Sequence, residues 1–128
     1  MNYIIVDPED KSSSELKNIL DSYKILGIHG KVKTFEAVTD SIQKEKPDLA
    51  FIRMKNIHLN VYKLISEIKE KSPFSKVIFM SDHELDAVEA FEYDADGFLL
   101  IPFDEKQIRH MMMSSLDKHE AGENISKT

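Results

Sequence analysis

The sequence predicts a doubly wound α/β domain, a five-stranded parallel sheet with five helices packed over its two faces. Two observations carry the prediction. Four short apolar runs rich in β-branched and aromatic residues recur at residues 3–6, 49–52, 77–80 and 98–101. Each is continuous rather than alternating, as strands buried on both faces of a parallel sheet are. Between them, apolar residues recur at spacings of three and four, the signature of helices with one buried side. Strand and helix therefore alternate, which favours right-handed crossovers onto a single sheet.

In chain order, Tyr3-Ile4-Ile5-Val6 forms the first strand. Leu16, Ile19, Leu20 and Tyr23 line a first helix, with Ser12-Ser13-Ser14-Glu15 as a capping box and Gly27 as a stop. A weaker run over 28–35 supplies another strand, at an edge. Val38 and Ile42 mark a short second helix closed by Pro47, ahead of the strand at 49–52. Val61, Leu64, Ile65 and Ile68 give a third helix, closed near Pro73. Leu85, Val88 and Phe91 give a fourth helix. Ile108, Met111, Met112 and Ser115 give a fifth, capped by Asp104. Three consecutive methionines at helical spacing place one or two in the core and need no cofactor to explain them. The sequence turns polar after about Lys118, so 1–118 reads as the domain and 119–128 as tail or linker.

Length and charge narrow the function. One core suits a chain of 128 residues, and 41% hydrophobic with 31% charged residues is ordinary for a soluble protein. There is no cysteine, so disulfides, thiolate ligands and a cysteine nucleophile are excluded. No apolar run nears the ~20 residues of a membrane span. The first residues carry no signal pattern, and a cytoplasmic protein is expected. A net charge of −6 argues against direct nucleic-acid binding. Between Asp82 and Glu105 stand nine acidic residues and no Lys or Arg, either a solvated face or a docking surface for a basic partner. The five histidines, His29, His58, His83, His110 and His119, lack metal-site spacing and read as surface residues. No glycine-rich loop follows the first strand, which disfavours nucleotide and flavin binding.

Ligands of an open α/β sheet bind beyond the carboxyl ends of its strands. The residues there are Asp7, Pro8, Glu9 and Asp10, then Arg53, Met54 and Lys55, then Ser81, Asp82 and His83, then Ile101 and Pro102. With these in place the chain resembles a response-regulator receiver domain, CheY-like in fold, over residues 2–116. Ile4-Ile5-Val6-Asp7 resembles the family's first strand. Pro47-Asp48-Leu49-Ala50-Phe51-Ile52 resembles the strand that delivers the phosphoacceptor aspartate. Val77-Ile78-Phe79-Met80-Ser81 resembles the strand ending in the switch hydroxyl, and Phe98-Leu99-Leu100-Ile101-Pro102-Phe103-Asp104 the segment with the switch aromatic.

The resemblance implies a degenerate phosphorylation site made of Asp7, Pro8, Arg53, Ser81 and Ile101, with Phe98 as switch aromatic. Asp7 keeps the first acid, while the second, which in the family holds Mg²⁺, falls on Pro8. Arg53 stands where the phosphoacceptor would be, and Ile101 where the family has lysine. Asn56-Ile57-His58-Leu59 replaces the usual Met-Pro-Gly loop. A guanidinium cannot attack a phosphoryl group, and a hard Mg²⁺ ion wants oxygen ligands. Loss of phosphotransfer, lost or weak Mg²⁺ binding and no other cofactor are therefore expected. Glu9, Asp10 and Asp82, besides Asp7, are candidate charge partners of Arg53.

The expected function is regulatory rather than enzymatic: a signalling module acting by protein contact, in the manner of the N-terminal part of a transcriptional regulator. The contact would use the face formed by the fourth helix, fifth strand and fifth helix, on a monomer or weak dimer. The alternatives are a receiver phosphorylated on another carboxylate, such as Asp48 or Asp82, and a small flavodoxin-like enzyme.

Overall fold

The computed structural model describes residues 2–7, 13–23, 31–32, 35–54 and 61–113. Five parallel strands, β1 (Tyr3–Val6), β2 (Lys31–Val32), β3 (Leu49–Arg53), β4 (Lys76–Ser81) and β5 (Gly97–Leu100), form one sheet in the order β2-β1-β3-β4-β5. The helices α1 (Ser13–Asp21), α2 (Phe35–Glu45), α3 (Val61–Lys71) and α4 (Asp86–Glu92) alternate with them. A fifth helix, α5, covers residues 105–113. The doubly wound fold expected from the periodicity is present.

Residue alternation along the central strands sorts the core into two layers. Tyr3, Ile5, Phe51, Ile78 and Met80 pack with Leu16 and Leu20 of α1 and with Ile108 and Met112 of α5. Ile4, Val6, Ala50, Ile52, Val77 and Phe79 pack with Ile42 of α2 and with Leu64, Ile65 and Ile68 of α3. All five residues of β3 are buried, which is why its sequence shows no polar alternation.

Tyr3 ties the first layer together. Its ring meets Phe51 edge-on, with centroids 6.3 Å apart. Its hydroxyl donates to Asp21 Oδ1 at 2.9 Å, and Lys17 holds the other carboxylate oxygen of Asp21. Burial, and then the Asp21 carboxylate, push the Tyr3 hydroxyl up to about 12. The Lys17 and Tyr3 hydrogen bonds lower Asp21 below its ordinary value.

Several sequence expectations shift. Strand β5 covers Gly97–Leu100 rather than 98–101; Ile101 lies past its end, although its N–H still donates to Ser81 O at 2.8 Å. Strand β3 runs one residue further than its apolar stretch, to Arg53. Helix α2 is not short, because its eleven residues begin at Phe35, before the apolar spacing becomes visible. Of the edge strand expected over 28–35, the described part is Lys31–Val32, paired with Ile5 and Val6, while Phe35 already belongs to α2; 28–30 and 33–34 lie outside the described residues. The proposed capping residue Ser12 and the stop Gly27 lie outside the described residues, as do His29, His58, His119 and the segment 56–59.

Helix α4 does not bury the residues whose spacing marks it in the sequence. Leu85, Val88 and Phe91 do not face the core; they are 83%, 58% and 53% exposed. Asp86, buried Ala90 and Tyr93, spaced four and three apart, face inward instead, with Tyr93 against the β-sheet layer that holds Phe79. Small Ala90 lets the helix lie close to the sheet, and the polar anchor at Asp86 sets its rotation. The helix ends in a Schellman arrangement: Ala95 N–H donates to Ala90 O, Asp94 N–H donates to Phe91 O, and Asp94 sits at φ 65°.

Helix α5 follows expectation. Asp104 Oδ1 accepts the N–H of Lys106 at 2.9 Å, a cap on the first turn. Ile108 and Met112 are buried, while Met113 is turned outward. Among the described residues no helix is long and apolar enough to cross a membrane.

Candidate functional site

The carboxyl ends of β1, β3 and β4 converge, as the parallel registers require. Val6 stands beside Ile52 and Ile52 beside Phe79, so the next residues along, Asp7, Arg53 and Met80, form one row across the sheet. Arg53 is paired in register with Met80, and Met54 N–H donates to Met80 O at 2.9 Å. Both charged members of this row are buried: Asp7 is 2% exposed and Arg53 5%. A guanidinium so far from water needs compensating anionic or carbonyl partners. Asp7 and Arg53 both interact with neighbouring groups, while the Arg53 Nε has no hydrogen-bond partner among the described residues. Pro8, Glu9 and Asp10 lie outside the described residues.

Ser81 is fully buried one position beyond the row. Alternation puts it on the side of Phe79, towards α4, and away from the side of Phe51 that Arg53 shares. Its hydroxyl donates to Asp86 Oδ2 at 2.5 Å and accepts the N–H of His83 at 3.1 Å. Ser81 thus joins the end of β4 to the first turn of α4. Asp86 was not among the sequence candidates. A hydroxyl closing a strand, followed five residues later by an acid in the first turn of a helix, was the available signal.

The remaining candidates spread outward. Asp82 is exposed and lies 3.6 Å from His83 Nε2. Ile101 is half-buried against the α1/α5 layer, as are Phe103 and Met111. Phe98, on β5 opposite Phe79, packs on the other layer and lines a groove of 670 Å³ between α4 and α5. Asp48 lies at the opposite end of β3 from Arg53, where its carboxylate accepts the Asn2 N–H at 2.7 Å. Eight of the nine acids between Asp82 and Glu105 are exposed, and Asp86 is half-buried.

The chain thus combines a doubly wound sheet in the order 2-1-3-4-5 with an acid after β1, a buried hydroxyl at the end of β4 and an aromatic on β5. The family described as response regulator receiver domain matches residues 3–113, and the chain belongs to it. The sensory transduction protein LytT of Bacillus anthracis is 29% identical over 108 residues, covering 84% of this chain and 44% of that protein. The positive alginate biosynthesis regulatory protein of Pseudomonas aeruginosa is 29% identical over 105 residues, covering 80% of this chain and 42% of its own length. The chain therefore spans less than half the length of these relatives. Among solved structures, the response regulatory domain of mrkE from Klebsiella pneumoniae superposes with a TM-score of 0.81 at 26% identity, covering 94% of this chain and 99% of that one. A CheY-like receiver from Methanospirillum hungatei gives 0.77 at 19% identity, covering 94% and 97%.

Proposed function

We propose that this receiver transmits its signal without phosphoryl chemistry, as a regulatory module that works by protein contact. The observation that carries the reading is Arg53, a buried cation in the last position of β3, where a receiver presents its nucleophilic carboxylate. A guanidinium has no lone pair to offer phosphorus. Nor does the donor set suit Mg²⁺: Asp7 supplies carboxylate oxygens, Pro8 supplies no side-chain oxygen, and a fixed positive charge occupies the same row. Ile101 brings an apolar side chain to the place of a phosphoryl-pairing lysine.

In this reading Arg53 takes over the neutralising role of the metal. Its planar fork suits carboxylates, and Asp7, next to it in register, is the partner we assign; Glu9, Asp10 and Asp82 follow the same strands in sequence and are the further candidates. The site is then held in one charge state, and the module conveys information through the α4–β5–α5 face. The relatives' names, sensory transduction and positive regulation, and their greater length support a place within a longer regulatory protein, and the N-terminal part of a transcriptional regulator is the place we assign.

Mass spectrometry after incubation with acetyl phosphate and Mg²⁺ tests this reading. No phosphoryl adduct is expected on the native chain, nor on Arg53→Asp alone, since Pro8 and Ile101 remain. A stable adduct on any aspartate of the native chain, Asp82 and Asp48 included, overturns it.

A further inference from the structure

The outward side of α4 is left over once the sheet and the degenerate site are accounted for. Leu85, Val88 and Phe91 follow one another at intervals of three residues and are each more than half exposed. Residues so spaced lie on adjoining positions of one helix side, so together they form a continuous apolar ridge. At about 1.5 Å of rise per residue the ridge runs ~9 Å, close to two helical turns. Exposed Glu84, Glu89, Glu92 and Asp94 border it. Large apolar side chains on an acidic rim are unlike a solubilising face, which would be charged throughout.

We infer that this ridge docks a basic amphipathic helix, its apolar stripe against Leu85, Val88 and Phe91 and its Lys or Arg residues against the acidic rim. The inference names the partner chemistry for the protein-contact reading above and rests on it. Three physical arguments select this occupant. An apolar ridge of nearly two turns matches the i, i+3, i+4, i+7 stripe of a partner helix. No Lys or Arg stands between Asp82 and Glu105, so within this stretch the rim carboxylates have no neighbouring cation. A second copy would bring the same acids together across a two-fold axis, and anionic lipid or nucleic acid would be repelled.

The anchor beneath the ridge fixes its presentation. Ser81 binds Asp86, and Asp86 N–H donates to His83 O at 3.1 Å, so the start of α4 is held to the end of β4. The rotation that turns Ala90 inward is the rotation that turns Leu85, Val88 and Phe91 outward.

Fluorescence anisotropy with a labelled Leu/Lys peptide, its leucines on one helical face, tests the inference on the full chain. A permuted peptide of the same composition, lacking that face, and a Leu/Glu version serve as comparisons. The amphipathic Leu/Lys peptide is expected to bind at least about tenfold more tightly than either. Leu85→Ser and Phe91→Ser should each weaken it severalfold with an unchanged circular dichroism spectrum, and Glu89→Lys with Glu92→Lys should remove its salt sensitivity. Equal binding of the permuted peptide, or indifference to the two serine variants, overturns the inference. Self-association of the native chain that these variants abolish does so too, because a second copy would then be the occupant. Repeating the titration with acetyl phosphate and Mg²⁺ separates the two claims. Binding that arises only after phosphoryl transfer keeps the ridge but defeats the phosphorylation-free reading, and absence of binding in both conditions defeats the ridge alone.

Discussion

Removing Arg53 leaves a carboxylate buried beside it with less to balance its charge, because Asp7 is as deeply enclosed as the guanidinium. Arg53→Ala should therefore cost about 3–5 kcal/mol, in the range of broken buried pairs rather than surface ones. A double-mutant cycle with Asp7→Ala, read by thermal unfolding, should return a coupling of about 0.5–3 kcal/mol, and additive losses would show that the two side chains are independent. Tyr3 gives a separate prediction at high pH. Its hydroxyl titrates near 12 in the fold against an ordinary value of 10, so the neutral form is the one the fold favours. That contribution is complete below pH 10 and disappears as pH rises from 10 through 12, on the order of 2–3 kcal/mol in all. Tyr3→Phe should flatten the part of the alkaline stability loss that the native chain shows in this window. Asp21 works in the opposite sense: its lowered value contributes above its ordinary range, and the contribution is lost as pH falls from that range through the lowered folded value. The position of Arg53 was legible in the sequence, because four motifs fixed the register of β3. Its burial was not, since a lone Arg at a strand end is usually solvated.

Helix α4 shows where periodicity misleads. Leu85, Val88 and Phe91 outweigh Ala90 in any hydrophobic pattern, yet the helix turns on its polar anchor and its smallest apolar residue. The other helices have no such competition: the apolar spacing of α1, α3 and α5 names Leu16, Leu20, Leu64, Ile68, Ile108 and Met112, all of them buried. Asp86→Ala should leave the Ser81 hydroxyl buried without its acceptor and cost about 1–3 kcal/mol. Amide exchange in Asp86–Glu92 should quicken more than in α3, which has no bond to Ser81. At the other end of α4, Asp94 holds a left-handed conformation that glycine adopts without strain. Asp94→Gly should stabilise the chain by about 0.5–1 kcal/mol in denaturant unfolding, with the groove-lining residues unmoved.

At the scale of the whole molecule, the acid between Asp82 and Glu105 governs association. Only Lys106 and Arg109 relieve it on the neighbouring α5. Sedimentation should find a monomer or weak dimer at low ionic strength, and any pairing through this face should strengthen as salt screens the repulsion. The alternation of elements and the buried central strands were readable in advance because a parallel sheet demands them. The sheet order has a consequence for how the chain is made. Strand β3 lies between β1, which precedes it, and β4, which follows it. During synthesis the middle strand therefore waits with one flank bare until Lys76–Ser81 arrives and pairs along it from Leu49 to Arg53. A fragment ending at residue 75 would keep that flank, wholly apolar up to Arg53, open to another copy, and it should precipitate where the full chain stays dispersed. A nascent chain would carry the same bare flank until β4 leaves the ribosome.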